Sequence, residues 1–186
     1  KNIMEQPNIL AIVGSLREQS YNRQLALLAQ AAVGDRATFE LLEYKDVPLL
    51  NQDFEYPAPE PVKRVREQVK AADGIWFFTP EYNHAVPGVL KNLIDWLSRP
   101  VSKEERQVLF GKPAAISGIT TGMSGTGIAQ DALVALISLL NMRVMNIPRL
   151  TIPDSSQQTN AEGKLELVAS APYLQKQADA FLKFLA

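Results

Sequence analysis

The chain has 186 residues, 46% of them apolar, which is enough for one well-filled core and leaves little for a second domain. Its 19 Lys and Arg nearly balance 20 Asp and Glu, so the net charge of -1 offers no broad footprint for nucleic acid or an anionic membrane. Cysteine is absent, which excludes disulfides, thiolate metal sites and cysteine nucleophiles. We expect a single domain over residues 1–186 with small-molecule partners, whose redox chemistry, if any, comes from a cofactor.

The apolar runs of the sequence are strand-sized, and none approaches the roughly 20 residues that cross a bilayer. The first residues carry no hydrophobic region of a secretory signal. We therefore expect a soluble, cytoplasmic protein, with Met4 as the natural initiator and residues 1–3 added before it.

The first predicted element is a buried strand, because residues 9–13 form an unbroken apolar run. Residues 14–22 follow, where Gly14 allows a sharp turn and either Ser20 or Asn22 caps the next helix. The N-terminus of that helix directs unpaired amides and a partial positive charge at the turn. Hydroxyl, amide and guanidinium donors suited to a phosphate monoester come from Ser15, Arg17, Ser20 and Asn22.

Two better-known nucleotide patterns do not fit this turn. The first strand is followed by neither Gly-x-x-x-x-Gly-Lys-Ser/Thr nor Gly-x-Gly-x-x-Gly. An NTPase or a Rossmann dehydrogenase is therefore disfavoured.

Strands and helices alternate along the rest of the chain. The further predicted strands are residues 38–44, 75–79, 114–117 and 143–147, and the further helices are residues 62–72, 86–97, 129–140 and 173–185. Residues 49–61 form a long polar loop that either carries function or is a solvated connection. Five alternating strands predict a parallel, doubly wound sheet, whose ligands bind beyond the carboxyl ends of the strands.

A second candidate binding segment follows the third strand, which is the most apolar run. Pro80, Glu81, Tyr82 and Asn83 combine a stiff backbone, an aromatic ring and polar groups, more than a structural turn needs. Amides there can bond the edge of a flavin ring while Pro80 and Tyr82 pack against it. His84 is the only histidine; with no partner for a metal cluster, we interpret it as a polar cap rather than a catalytic group.

The glycine-rich residues 118–127 follow the fourth strand, and either form a mobile loop or bring backbone amides close to a ligand. The loops after strands one, three and four leave the same edge of the sheet. Together they predict a nucleotide cofactor with a phosphate at one end and a flat polar ring at the other.

These segments resemble the NAD(P)H-dependent FMN reductases of flavodoxin-like fold, a family with chromate-, quinone- and azo-reducing members. The match is carried in order, over roughly residues 8–150, by Gly14-Ser15-Leu16-Arg17 with Ser20 and Asn22, by residues 80–84 through Asp95-Trp96, and by Ser117 with the glycines after it. The resemblance implies an α/β three-layer sandwich with a five-stranded parallel sheet in the order 2-1-3-4-5.

The resemblance also implies FMN as cofactor and NADPH or NADH as reductant. By matching position it puts the FMN phosphate at the first loop and the ring along the second, with the fourth-strand residues on the other side. The residues so assigned are Ser15, Arg17, Ser20, Tyr21, Asn22, Pro80, Glu81, Tyr82, Asn83, Ser117 and Gly118. Residues 46–53 resemble a family segment that reaches a neighbouring subunit's flavin, which implies a homodimer or homotetramer.

The implied activity is hydride transfer from the nicotinamide to flavin N5, and then reduction of an acceptor on the same ring face. Free flavin, a quinone, an azo compound and chromate all suit such a face, and no protein acid or base is required. A rival hypothesis is a flavodoxin-type electron carrier, which the near-neutral charge disfavours because such carriers are usually strongly acidic around the flavin. A flavin-free binder of a phosphosugar or nucleotide is the third.

Overall fold

The computed structural model describes residues 6–186, so Met4 and its neighbours lie outside the described residues. Within these described residues one sheet contains six strands, which are β1 (Asn8–Val13), β2 (Thr38–Leu41), β3 (Gly74–Phe78), β4 (Pro113–Ile119), β5 (Arg143–Val144) and β6 (Leu150–Ile152). Every pair is parallel, and the order is β2-β1-β3-β4-β5 with β6 also beside β4. The predicted flavodoxin-like order is therefore confirmed.

Five helices cover the two faces of the sheet, namely α1 (Tyr21–Val33), α2 (Glu60–Ala71), α3 (Gly88–Leu97), α4 (Gly127–Leu139) and α5 (Ala171–Leu185). Alternate residues of β3 point to opposite faces, as a strand requires. Trp76 and Phe78 pack in one buried cluster with α1 and α5, whereas Ile75 and Phe77 pack in another with α2, α3 and α4. The result is the expected three-layer sandwich. In the part of the chain from residue 6 onwards, no helix is long and apolar enough to cross a membrane.

The fifth strand was predicted as one run over residues 143–147, and the structure has two short strands, β5 and β6, in its place. β5 pairs with the start of β4, and β6 pairs with its end at residues 117–119. Pro148 has no amide to donate to a ladder, so pairing stops before it and resumes at Leu150. Because β6 is parallel to β4, residues 153–158 arrive at the same edge as the three predicted loops.

Two other strand ends also move. β2 ends at Leu41 rather than at residue 44, because Tyr44 turns inward and its hydroxyl donates to the Val13 carbonyl at 2.5 Å. β4 continues to Ile119, so Gly118 lies inside a strand and not in the loop that follows it.

Candidate functional site

The loops after β1, β3 and β4 meet at one edge of the sheet, as predicted. The Gly14 amide donates to the Phe78 carbonyl at 2.7 Å, and the Thr79 amide donates to the Ser117 carbonyl at 2.9 Å. A side chain at Gly14 would place its Cβ 3.2 Å from both Pro80 Cδ and Thr79 Oγ1. The first two loops therefore approach this closely because residue 14 is glycine.

The phosphate loop, which we define as residues 14–22, ends in a capped helix. The Ser20 hydroxyl accepts from the Arg23 amide, so Ser20 rather than Asn22 is the N-cap of α1. The amides of Tyr21 and Asn22 have no acceptor within residues 6–186, and they lie at the positive end of the helix. Arg17 is exposed beside them, with its guanidinium 5.7 Å from the centre of the Tyr21 ring. Backbone and side-chain donors are thus grouped at the start of α1, where an anion is favoured.

The Asn22 side chain is directed into the protein. It is buried, its Nδ2 donates to the Ile119 carbonyl at 2.9 Å, and its Oδ1 accepts from the Ile119 amide at 3.1 Å. Asn22 therefore ties the start of α1 to the end of β4, and its backbone amide is the group left for a ligand.

The ring turn, which we define as residues 80–84, presents backbone amides to the edge. Asn83 and His84 have φ values of 53° and 57°, a left-handed conformation that Asn and His adopt more readily than most residues. The amides of Glu81, Asn83 and His84 have no acceptor in the described part of the chain. The Tyr82 side chain is 53% exposed beside them. Such a turn offers donors and an aromatic surface to a flat polar ring.

The Glu81 carboxylate is instead bound by other groups of the protein. Its side chain is 4% exposed, Oε2 accepts from the Ala129 amide at 2.9 Å, and Oε1 lies 3.1 Å from Nδ1 of the exposed His84. Thr126 provides no side-chain cap for α4, so Glu81 caps that helix from another loop. Burial alone would raise the pKa of Glu81, but hydrogen bonds from Ala129, Ser124 and His84 outweigh it and hold that pKa below its usual value.

We expect Glu81→Gln to lower the free energy of unfolding by about 1 kcal/mol at pH 7, because the amide keeps a cap but loses the charge. Because the folded-state pKa of Glu81 lies below its unfolded-state pKa, the carboxylate stabilises the folded protein at pH values above the unfolded-state pKa. This stabilisation is lost as the pH falls through the folded-state pKa. Urea unfolding of the parent and of Glu81→Gln from pH 7 downwards should therefore show that the difference between their unfolding free energies shrinks below about pH 4.3. The exposed Glu40→Gln is the control, and a difference that does not depend on pH would contradict this role.

Ser117 and Gly118 hold the core rather than face the open edge with a side chain. Ser117 is buried, and its hydroxyl accepts from Trp76 Nε1 at 2.9 Å and donates to Gln177 Oε1 at 2.6 Å. A Cβ at Gly118 would lie 2.2 Å from Thr126 Oγ1 and 2.3 Å from the Thr79 carbonyl oxygen. Both residues fix where β4 meets the other loops, and contact between either of them and FMN stays a prediction.

Residues 153–158 are a part of this edge that the sequence interpretation missed. The Asp154 amide donates to the Gly122 carbonyl at 3.1 Å, and the Ser155 amide donates to the Thr120 carbonyl at 3.0 Å. The segment therefore borders the glycine-rich loop. The signal was present in the sequence as polar residues directly after the short apolar run of β6, where a parallel strand ends.

The edge as a whole fits FMN. The phosphate loop supplies two unpaired amides, a hydroxyl at Ser15 and a guanidinium at Arg17 for a dianionic phosphate, and the ring turn supplies three unpaired amides. Across residues 6–186 there is no group of three His, Asp or Glu side chains placed to hold a metal ion. Which of these residues contact FMN stays a prediction.

Known proteins of similar sequence and structure agree with this fit. The family model described as NADPH-dependent FMN reductase matches residues 7–157. A 2-hydroxy-1,4-benzoquinone reductase of a Burkholderia species is 38% identical over 174 residues, or 93% of each chain, and an NAD(P)H-dependent FMN reductase of Pseudomonas aeruginosa is 39% identical over 173 residues, or 92% of this chain and 91% of that one.

A solved structure is similar over nearly the whole chain. It is the flavoenzyme NAD(P)H:(acceptor) oxidoreductase FerB of Paracoccus denitrificans, with a TM-score of 0.86, 33% identity, and coverage of 96% of this chain and 97% of that one. The chain belongs to the NADPH-dependent FMN reductase family, which confirms the predicted oxidoreductase with FMN as cofactor and NAD(P)H as reductant.

Proposed function

We propose that this protein reduces small, diffusible quinones with NAD(P)H. Relatives named for quinone reduction support this acceptor, including the Burkholderia enzyme and a quinone reductase of Escherichia coli K12 that is 37% identical over 147 residues. The structural observation that carries the proposal is the open ring turn, where Tyr82 is half exposed and three backbone amides have no acceptor among the described residues. A flat acceptor can reach a ring held there without a docked protein.

FMN, when bound, supplies a ring that accepts hydride and passes electrons to the acceptor. The chain's own residues bind the cofactor and orient its ring. The phosphate loop holds an anion at the start of α1, and the ring turn fixes a ring edge through amides whose positions are set by the Glu81 carboxylate. That carboxylate is committed to Ala129 and His84, so we assign it no proton-transfer role.

The test is a steady-state acceptor panel on FMN-loaded protein with both nicotinamides. We expect NAD(P)H oxidation to be fastest with 1,4-benzoquinone, slower with free FMN, an azo dye and chromate, and to show parallel initial-rate lines. Parallel lines follow because two substrates that share one ring face bind in turn. Turnover no faster than with dioxygen alone would favour the electron-carrier hypothesis, and intersecting lines would contradict the shared face.

Two further expectations stay proposals, a homo-oligomer and a cytoplasmic location. The homo-oligomer is supported by exposed apolar side chains at residues 46–53, the segment that resembles an inter-subunit contact of the family. Leu49 in this segment is 82% exposed, and Phe54 directly after it is 65% exposed. A homodimer or a homotetramer would cover them.

A further inference from the structure

A cleft with a volume of about 490 Å³ lies between α2 and the loop that follows α3. Its walls come from residues 56–58, from α2, and from Val101 and Glu105. No residue of the phosphate loop, of the ring turn, of residues 118–127 or of residues 46–54 lines it. The cleft is therefore separate from the predicted FMN site and from the segment that we expect a second subunit to cover.

Arg66, on the α2 wall of the cleft, is a buried cation without an anionic partner. It is 3% exposed, and no carboxylate of residues 6–186 lies within 4.0 Å of its guanidinium nitrogens. Its Nη2 donates to the Trp96 carbonyl at 3.2 Å, whereas its Nε is buried and has no acceptor in that part of the chain. Since a guanidinium has five N–H donors, most of this hydrogen-bonding capacity is unused within the protein.

The two carboxylates whose charges act on Arg66 bind other cations. Glu55 accepts two hydrogen bonds from Arg99, at 2.6 and 3.2 Å. Glu105 Oε1 lies 2.6 Å from Lys70 Nζ. Burial lowers the pKa of the Arg66 guanidinium, which nevertheless stays charged at neutral pH. A charge removed from water without a pair is costly, so a ligand anion that pairs with Arg66 is favoured.

The other two cations of the cleft have partners of their own. Residues 63, 66 and 70 lie on one face of α2, because they are three and four positions apart. Lys63 Nζ lies 2.6 Å from Glu60 Oε1, and Lys70 Nζ lies 2.9 Å from Glu67 Oε1. Arg66 is thus the cation of this face that is left for a ligand, and its single charge matches a monoanion.

The walls opposite α2 are mostly apolar. Pro57, Ala58 and Val101 contribute to them. Tyr56 adds a side chain whose hydroxyl donates to the Pro100 carbonyl at 2.8 Å, which fixes its position. An apolar cleft with one charged group suits an organic anion, since an inorganic anion would leave the apolar walls without a partner.

We propose that this cleft binds a small organic carboxylate, with the carboxylate at the Arg66 guanidinium and the apolar body against Pro57, Ala58 and Val101. A carboxylate fits because its two oxygens can accept from two N–H groups of one guanidinium. The site takes no part in the proposed reduction of quinones, so the two proposals stand or fail separately.

The test is isothermal titration calorimetry of FMN-loaded protein with benzoate and with benzamide, which has nearly the same shape and no charge. We expect a dissociation constant of about 1 mM for benzoate, in keeping with its small size, and binding of benzamide that is about 10-fold weaker. Inorganic phosphate has the charge without the apolar body, and it should also bind about 10-fold more weakly than benzoate.

Two variants change the cleft in opposite directions. Arg66→Gln should lose most of the affinity for benzoate. Glu105→Gln should raise that affinity by about 3-fold, because it removes an opposing charge and releases Lys70. Glu105 is exposed, so this variant is expected to fold and to retain FMN even if Arg66→Gln is unstable. Lys176→Gln, an exposed lysine on α5, is the control.

The outcomes decide both the site and its ligand. Equal affinity of the parent for benzoate and benzamide overturns the site. An unchanged benzoate affinity in either folded variant also overturns it, because benzoate then binds elsewhere, for example at the ring turn. Phosphate bound more tightly than benzoate overturns the organic carboxylate as ligand. Benzoate affinity that falls as the protein concentration rises overturns a free ligand, because a carboxylate of a second copy then fills the cleft.

Discussion

Gly118→Ala is expected to lose about 3 kcal/mol of unfolding free energy and most of its FMN affinity. The new Cβ would meet the backbone carbonyl of Thr79 at 2.3 Å and Thr126 Oγ1 at 2.2 Å, both far inside van der Waals contact. Thr126 cannot easily withdraw, because it is buried and its Oγ1 accepts from Gln130 Nε2 at 2.9 Å. Relief must come from moving Thr79, which leads directly into the ring turn.

Urea unfolding and FMN fluorescence titration measure the two effects, and Gly122→Ala is the matched control. Gly122 lies in the same glycine-rich stretch and is exposed, and a Cβ added there would have no atom within 4 Å apart from its neighbours in sequence. We expect the control to change stability by less than about 0.5 kcal/mol. A Gly118 variant as stable as that control would show that β4 and Thr79 are not held together as closely as described.

The strands that were predicted best are those buried on both faces. Residues 9–13 and 75–79 are apolar almost throughout, and β1 and β3 form the centre of the sheet at those positions. The outer position of the sheet, beside β4, was predicted less well, because the sequence of residues 143–147 taken alone is typical of one strand. What divides it is the pairing of β5 and β6 with opposite ends of β4, which depends on tertiary contacts that periodicity does not contain.

The meeting of three loops at one edge was predictable from topology alone, since parallel strands end on the same side. The roles of individual polar side chains were not predictable in this way. Ser117 bonds to Gln177, which is 60 residues away in the sequence, and Glu81 bonds to Ala129, which is 48 residues away. A hydroxyl or carboxylate that suits a ligand suits a backbone amide or a buried amide side chain equally well, so residue type does not distinguish the two.

Asn22→Ala provides the clearest separation of structural and ligand roles. We expect it to lower the unfolding free energy of the FMN-free protein by about 2 to 4 kcal/mol, because the buried amide and carbonyl of Ile119 both lose their partner. FMN affinity should also fall, since α1 is no longer tied to β4, although the residue 22 amide is still present in the variant. Urea unfolding without and with FMN measures both quantities.

The control is Asn146→Ala, an exposed asparagine with no hydrogen-bond partner in the described chain, which we expect to be nearly neutral. If Asn22 acted only by binding the phosphate through its side chain, the FMN-free variant would be as stable as the parent and only the FMN affinity would change. A loss of stability without FMN instead means that the phosphate loop is assembled before the cofactor arrives. The two hydrogen bonds to Ile119, 97 residues away in the sequence, would then be what orients the α1 amides towards the phosphate.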